Sequence, residues 1–279
     1  MKDWDINIYR GVLTGYNDAF IITTSKRDEI LSNCQNEDER KRTTELIRPI
    51  LRGRDIKRYS YDWANLWLIW VPWHFPLHND TSIQGASERA EKAFQTHYPA
   101  LYNHLLAYKK ELSARNKAET GIRYEWYALQ RWGANYWEDF KQPKILFQEI
   151  VQESQFMIDT EGAFFCNDTG RIIIGEGLYH LLGVLNSTLF FYAIKTFYGG
   201  GILGDHGVRM KHTFFEKFPC LPISEDISSI AESLTHRFDS QSLVSLEKII
   251  FKKYGLTNDE VNYIYESTNQ QVNSISLIS

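Results

Sequence analysis

Cysteine is scarce in this sequence, and its three copies, Cys34, Cys166 and Cys220, lie far apart. Their separation fits neither a disulfide framework nor the paired spacing of a zinc site. The eight histidines contain no i, i+4 pair that is joined to a third ligand. We therefore expect no metal centre, and we expect three buried thiols in a reducing cytoplasm.

Long apolar runs are also missing. The most apolar stretch, LLGVLNSTLFFYAIKTF at residues 181–197, contains Asn, Ser, Thr and Lys and is short for a bilayer span. The chain opens on the polar residues MKDWDINIYR, which do not form a signal peptide. The sequence therefore predicts a cytoplasmic protein with no membrane partner.

Several catalytic motifs do not occur. The one dense glycine cluster, Gly199 to Gly201 with Gly204, follows a helical pattern and lacks the Lys-Ser/Thr of a phosphate-binding loop. There is no Gly-rich loop after a first strand for S-adenosylmethionine, and no Asn/Asp-Pro-Pro-aromatic tetrapeptide to grip a flipped base. Lys144, Glu149 and Asp168 can be assembled on paper into a magnesium-dependent nuclease site, but such residues on strand edges and turns are far more often structural. We expect no cofactor in this chain.

The net charge of −4 conceals an uneven distribution. Residues 40–58 contain eight Lys or Arg against two acids, whereas residues 224–279 contain eight acids against four bases. Because charge is screened over about 10 Å at moderate salt, a phosphate-binding face needs local positive potential rather than a positive total. The cluster therefore predicts an anionic partner such as nucleic acid, with a solvated helix and turn as the alternative.

The hydrophobic content of 43% is enough for one large domain with an appendage. Residues 4–24 alternate as strand, turn and strand, and residues 26–48 predict one or two helices that end before Pro49. LWLIWV, closed by Pro72, is typical of a buried strand. Residues 86–115 predict a helix with a break near Tyr98, because Pro99 removes a backbone donor.

The second half begins with strand patterns, KILFQEI, FMIDTEG and AFFCNDTGRIII, which are separated by turn residues. Gly177 to Phe197 predicts one long apolar helix that belongs to the core. After Pro222 the pattern predicts two or three amphipathic helices, with Gly255 as a C-cap and a capping box from Thr257 to Glu260.

Several phrases occur in a characteristic order between residues 8 and 223. They are IYRGVLTGYNDAFII, IRPILRGRDIKRYSYDWANLWLIW, GIRYEWYALQRW, KQPKILFQEI, AFFCNDTGRIII, GLYHLLGVLNSTLFFYAIK and YGGGILGDHGVRMKHTFFEKFPCLPI. This series resembles the TaqI-like C-terminal specificity domain of fused restriction–modification enzymes. The resemblance implies a mixed α/β target-recognition domain over residues 1–223, with a largely antiparallel mixed sheet. It also implies a helical insertion at about 84–118 and a C-terminal helical segment at 224–279.

The same resemblance implies a function. The chain would bind double-stranded DNA sequence-specifically as the specificity part of a bacterial type II restriction–modification enzyme or adenine-specific DNA methyltransferase. The catalytic part, with S-adenosylmethionine and magnesium, would lie elsewhere in the same or another chain, so this chain would not be an enzyme. Two alternatives stay open: an interaction module that docks on a methyltransferase without reading DNA, and an independent nuclease.

Side chains that suit DNA contacts are Arg and Lys for guanine or phosphate, and Gln and Asn for adenine. The candidates are Thr14, Asn17, Arg52, Arg54, Lys57, Arg58, Gln130, Arg131, His206, Arg209 and Lys211. The four from Arg52 to Arg58 are expected to contact the DNA backbone, whereas Arg131 and Arg209 are expected to reach bases. Thr14 and Asn17 form either a structural turn or a phosphate contact. The Gly-rich segment before Lys211 either projects His206, Arg209 and Lys211 or merely connects a helix to a strand.

Overall fold

The computed structural model of the protein describes residues 4–198, 202–203 and 207–268. Its strands are β1 (Ile6–Arg10), β2 (Ile21–Thr23), β3 (Ile47–Leu51), β4 (Leu66–Ile69), β5 (Lys144–Gln148), β6 (Ile150–Val151), β7 (Phe156–Asp159), β8 (Phe165–Cys166), β9 (Gly170–Gly175), β10 (Ile202–Leu203) and β11 (Gly207–Arg209). Its α-helices are α1 (Asn17–Phe20), α2 (Thr24–Ser32), α3 (Glu37–Leu46), α4 (Glu88–His97), α5 (Pro99–Leu106), α6 (Lys109–Ala114), α7 (Leu178–Leu185), α8 (Thr188–Thr196), α9 (His212–Phe215), α10 (Glu225–His236), α11 (Ser240–Lys253) and α12 (Asn258–Thr268).

A central antiparallel sheet of order β1-β9-β5-β7 separates two hydrophobic cores. Side chains alternate between the faces of a strand, so neighbouring residues enter different cores. Leu146 and Ile172 pack in the first core, whereas Ile145 and Ile173 pack in the second. The predicted strands KILFQEI and AFFCNDTGRIII are therefore buried on both faces, which explains their continuous apolar runs.

Two smaller sheets flank the central one. One has the order β2-β4-β3-β8, in which β3 and β8 are parallel, and the other has the order β10-β11-β6. The remaining pairs between the strands that the structure describes are antiparallel. The predicted mixed α/β class with a mixed, largely antiparallel sheet is thus confirmed.

Helices α4, α5 and α6 occupy the region of the predicted insertion. Tyr98 ends α4 and precedes α5, whose first residue is Pro99, so the predicted break is confirmed. Phe94, Leu101 and Leu105 are fully buried in the first core. The insertion packs against the N-terminal helices, since α5 contacts α2 and the Ala100 N–H donates to Glu39 Oε1 of α3 at 2.9 Å.

The apolar segment 177–197 forms two helices, α7 and α8, where the sequence predicts one. Asn186 breaks the run because its side chain exchanges two hydrogen bonds with the backbone of Phe156, at 3.0 and 2.9 Å. The Ser187 hydroxyl then caps α8 by accepting the Phe190 N–H at 3.1 Å. The single long helix is wrong because buried polar groups at this point satisfy a neighbouring strand rather than a helix.

The C-terminal helices join the second core. A Cβ at Gly183 of α7 would lie 2.8 Å from Ile227 Cγ2, so α7 and α10 approach closely. The C-cap glycine is confirmed by the positive φ of Gly255, 69°. The capping box is also confirmed, because Thr257 N–H donates to Glu260 Oε2 at 2.8 Å and Glu260 N–H to Thr257 Oγ1 at 3.4 Å. The boundary between residues 223 and 224 stays a prediction.

Two expectations from composition can be compared with the fold. Cys166 is buried as expected, whereas Cys34 and Cys220 are partly exposed, and all three are free thiols. Across residues 4–198, 202–203 and 207–268, none of the helices combines the length and the apolar character that a membrane crossing requires.

Candidate nucleic-acid interface

The turn before β9 lies at one end of the central sheet, and other segments converge on it. Thr169 Oγ1 accepts the Gly53 N–H at 3.1 Å and donates to Asn167 Oδ1 at 2.7 Å. A Cβ at Gly53 would lie 2.9 Å from Gln148 Cγ at the end of β5, so a larger residue here would have to displace the Gln148 side chain. The Arg52–Asp55 turn is therefore fixed against this end of the sheet.

Two arginines face each other across the first pair of strands. Arg10 of β1 lies opposite Arg171 of β9, and Arg10 is exposed. The Arg171 guanidinium is buried and donates to Glu149 Oε2 at 2.5 Å. Burial lowers the pKa of Arg171, the Glu149 carboxylate opposes that shift, and the positive charge of Arg10 adds to it. Arg10 thus adds a cation that Glu149 does not neutralise.

Arg131 is brought to the same place by a backbone bridge. It exchanges two hydrogen bonds of 2.9 Å with Leu13, just after β1, and its side chain is exposed. The pKa of the nearby Tyr136 hydroxyl is affected by the same arginines. Burial and Cys166 raise this pKa, while the positive charges of Arg171, Arg10 and Arg131 lower it. The positive charges of Arg171, Arg10 and Arg131 thus all act on the Tyr136 hydroxyl.

The predicted residues Thr14, Asn17 and Gln130 lie beside Arg131. The Thr14 hydroxyl is buried and donates to Asn17 Oδ1 at 2.7 Å, while Asn17 itself is exposed. Gly15 has a φ of 73°, and a Cβ there would lie 2.6 Å from Gln130 Oε1. Of the two roles that the sequence allows for Thr14, its buried hydrogen bond to Asn17 fits the structural turn. Asn17 and Gln130 are accessible from solvent.

Beneath this turn lies Arg115, which sequence reasoning missed because no motif marks it. Its guanidinium is buried and donates to the carbonyl oxygens of Thr14 at 2.5 Å, Trp126 at 2.7 Å, Ala128 at 2.8 Å and Leu112 at 3.0 Å. Arg115 therefore ties the end of the helical insertion to both segments that carry the predicted contacts.

The four basic residues of the Arg52 turn differ in what they contact. Arg52 forms a bidentate ion pair with Asp55, at 2.9 and 2.7 Å. Arg54 is exposed, and no carboxylate among the residues that the structure describes forms an ion pair with it. Lys57 donates to the Arg54 carbonyl oxygen at 2.8 Å and is half-exposed. Arg54 is therefore the freest cation of the turn.

Arg58 is turned into the second core. Its Nη2 donates to the Asn186 carbonyl oxygen at 2.6 Å and to Glu247 Oε1 at 3.1 Å. Only 18% of its side chain is exposed. The sequence predicts a DNA-backbone contact at Arg58. In the structure its guanidinium instead pairs with Glu247 and so links this turn to α11.

Arg209 reaches the same end of the sheet on β11, which pairs with β6 and places Arg209 opposite Ile150. Val208 and Met210 on either side are fully buried, so Arg209 faces outward. Its Nε is nevertheless covered and has no hydrogen-bond partner among the residues described. Lys211 follows, half-exposed, at the start of α9. His206 lies outside the described residues.

We call the surface formed by Arg10, Arg54, Arg131 and Arg209 the basic edge; Arg171 lies buried behind it and is paired with Glu149. Its four arginines come from four separate segments, and none of them has an ion pair within the part of the chain that the structure describes. Guanidinium groups bind phosphate and guanine bidentately. The sequence predicted Arg54, Arg131 and Arg209 but missed Arg10 and Arg171, because it did not show that β1 pairs with β9.

The nuclease arrangement does not form. Lys144 is buried and donates to Asp159 Oδ2 at 2.6 Å, while Glu149 pairs with Arg171. Lys144 and Glu149 lie at opposite ends of β5, about 16 Å apart at the usual rise of a strand. In the described ranges, no cluster of His, Cys, Asp or Glu could hold a metal ion.

Comparisons with known proteins concern the family and the fold of the chain. Residues 48–223 match the family model for the TaqI-like C-terminal specificity domain, so the phrase at residues 8–22 lies outside the match. Among solved structures, the fold is similar to that of the type IIL restriction-modification enzyme MmeI in complex with DNA. The identity is 14% and the TM-score 0.57, over 95% of this chain and 35% of that one.

A second solved structure, that of the type IIG restriction endonuclease BpuSI, gives 12% identity and a TM-score of 0.53 over 96% of this chain and 30% of that one. At these identities the likeness concerns the fold. The chain spans about a third of the length of either enzyme. No curated protein sequence matches it significantly.

Proposed function

We propose, because the chain belongs to the family of TaqI-like C-terminal specificity domains, that it binds double-stranded DNA sequence-specifically through the basic edge. The observation that carries this proposal is the convergence of Arg10, Arg54, Arg131 and Arg209, from separate segments, at one end of the central sheet. A local concentration of cations attracts an anionic ligand even though the net charge of the chain is −4.

The arginines divide into two groups by their surroundings. Arg10 and Arg54 are exposed and extend from a strand end and a turn, which suits contacts to phosphates at variable positions. Arg131 is held by backbone pairing with Leu13 and Arg209 by pairing with Ile150, which suits bidentate recognition of a guanine. Asn17, Gln130, Lys57 and Lys211 border these groups and would add contacts.

The rest of the protein would supply the chemistry. The chain corresponds to about a third of the length of two restriction enzymes. We propose that it is the specificity part of a type II restriction–modification enzyme or an adenine-specific methyltransferase in a bacterial cytoplasm. A catalytic part in the same or another chain would bind S-adenosylmethionine and magnesium. Docking on a methyltransferase without reading DNA is the alternative, and the basic edge favours DNA binding.

The chain should bind duplex DNA with strong salt dependence. If the basic edge neutralises about four phosphates, the affinity should fall about 100-fold between 50 and 200 mM salt, because counterions are released on binding. Fluorescence anisotropy with a labelled duplex pool of random sequence measures the slope. An affinity that does not change with salt would contradict this surface, and no binding at any salt would support the docking alternative.

Replacing Arg54 or Arg209 with alanine should have different consequences. Arg54→Ala should weaken binding to all duplexes equally and reduce the salt slope by about one. Arg209→Ala should instead remove the preference at one base pair, at a cost of about 1–3 kcal/mol for the preferred duplex only. Competition between a selected duplex and the random pool measures both effects.

Arg123→Ala is the matched control for these two variants. Arg123 is 64% exposed and pairs with Glu119 at 3.9 Å, outside the basic edge. The Arg123→Ala variant should bind the selected duplex and the random pool as the parent does. If Arg54→Ala abolished a sequence preference while Arg209→Ala weakened all duplexes equally, the two roles would be reversed.

A further inference from the structure

Glu149 lies where the central sheet meets the strand that carries Arg209. It follows β5 and precedes β6, and its carbonyl oxygen accepts the Met210 N–H at 2.7 Å. Its own N–H donates to the Thr169 carbonyl oxygen at 3.3 Å. One residue thus joins the turn before β9 to the end of β11.

The side chain of Glu149 is fixed by Arg171. Arg171 Nη2 donates to Glu149 Oε2 at 2.5 Å, and the two side chains are 6% and 20% exposed. Glu149 is the one carboxylate, within the described part of the chain, that pairs with this buried guanidinium. Separating the two would leave a buried charge without its partner, so the pair holds Glu149 in one position.

Strand β11 is short, so each contact that fixes its register matters; besides the pairing with β10, these are the burial of Val208 and Met210 and the contacts at its far end. It pairs with β6 through two positions, Val208 opposite Val151 and Arg209 opposite Ile150. A slip of one residue would turn Arg209 to the opposite face, because side chains alternate along a strand. The hydrogen bond from Met210 to Glu149 extends this ladder, and the Arg171 contact anchors its end.

We infer that Glu149 and Arg171 form a positioning pair that fixes the register of β11 and thereby the direction in which Arg209 presents its guanidinium. The inference rests on the proposed function, since it assigns to this pair an effect on how DNA sequences are discriminated. The pair acts through Arg209 and makes no base contact of its own.

Two variants of the full chain test the pair. Glu149→Ala removes the carboxylate but leaves Arg171 buried and unpaired, so it also destabilises the fold. Glu149→Gln combined with Arg171→Met removes both charges and retains an amide of the same shape as the carboxylate, so no charge is left uncompensated. If the pair only stabilises the fold, the double variant should regain both the stability and the sequence preference of the parent. If the pair positions β11, the sequence preference should stay lost.

The DNA probes are a duplex pool of random sequence and the duplex that the parent chain selects from that pool. The double variant should bind the pool as the parent does but lose about tenfold of the preference for the selected duplex. In an Arg209→Ala background the same replacements should change the preference no further. Asp168→Asn, which removes an exposed carboxylate from the adjoining turn, should change the affinity for both probes equally.

Amide hydrogen exchange gives a second measurement that needs no DNA. In the double variant the Met210 amide should exchange about tenfold faster, because its strand end is released. Unchanged exchange or an unchanged preference would overturn the positioning role. A loss of preference that persisted in the Arg209→Ala background would make Glu149 a base contact, which also overturns it. A parent chain without any preferred duplex would overturn the proposed function instead, and the exchange rate would still decide whether the pair holds β11.

Discussion

Replacing Arg115 with methionine is expected to lower the free energy of unfolding by about 4 kcal/mol. The guanidinium of Arg115 is buried and donates to four backbone carbonyl oxygens. Burial lowers the pKa of Arg115 to about 10, so the side chain remains charged at neutral pH. Methionine fills a similar volume but donates nothing, and each buried carbonyl left without a partner costs about 1–3 kcal/mol. Partial relaxation of the backbone keeps the total below the sum.

Urea denaturation followed by tryptophan fluorescence measures this loss. Arg123→Met is the matched control, because Arg123 is 64% exposed and its replacement should change stability by less than about 0.5 kcal/mol. Arg115→Lys should lie between the two, since an ammonium group has three donors but lacks the planar fork. Equal denaturation midpoints for Arg115→Met and Arg123→Met would mean that the four carbonyl contacts contribute nothing.

Much of the secondary structure could be predicted because its causes are local. Pro99 ends one helix and begins the next whatever the tertiary contacts are. Gly255 adopts a positive φ that is unfavourable for residues with a side chain. The capping box between Thr257 and Glu260 lies within one helical turn. These features depend only on residues that are neighbours in the sequence, so they can be predicted from the sequence alone.

The break between α7 and α8 depends on a partner that is distant in sequence. Asn186 and Ser187 interrupt an apolar run, but a helix can tolerate such residues where they face solvent. Asn186 instead bonds to Phe156, thirty residues earlier, and that contact decides the outcome. Strand pairing has the same origin, because nothing local to β1 indicates that its partner is β9.

In the candidate site, the sequence does not distinguish exposed arginines from buried ones. Arg54 and Arg58 are four positions apart in one basic cluster, yet Arg54 is exposed and Arg58 is paired with Glu247 of α11. Arg115 and Arg123 likewise look equivalent in the sequence, but only Arg115 is buried. Composition predicts that cations gather, and tertiary contacts decide which of them can bind DNA.

Arg58→Met should destabilise the protein by about 3 kcal/mol at neutral pH, because it leaves the buried Glu247 carboxylate without its cation. Glu247 also accepts the backbone N–H of Thr188 at 3.0 Å and its hydroxyl at 3.1 Å. These neutral donors remain in the variant, but they do not compensate a full negative charge. The loss should therefore exceed that for an exposed ion pair.

The destabilisation by Arg58→Met should also shrink as the pH falls. Burial raises the pKa of Glu247, and Arg58 is the leading contribution that lowers it, so removing Arg58 raises this pKa further. A carboxyl whose pKa is higher in the folded than in the unfolded state binds its proton more tightly when folded. Its contribution to stability is then present at low pH and is lost as the pH rises through the folded-state pKa. The difference in unfolding free energy between parent and variant should therefore be smaller at pH 5 than at pH 7.

Urea denaturation of both proteins at the two pH values measures this dependence, and Arg58→Met combined with Glu247→Gln is the control. In that double variant no carboxyl titrates at position 247, so its stability relative to Glu247→Gln alone should not change between the two pH values. A difference for Arg58→Met that grew with acid would mean that Glu247 is not the group that Arg58 compensates. Arg58 would then hold α11 through the Asn186 carbonyl alone, and the link to the C-terminal helices would be independent of charge.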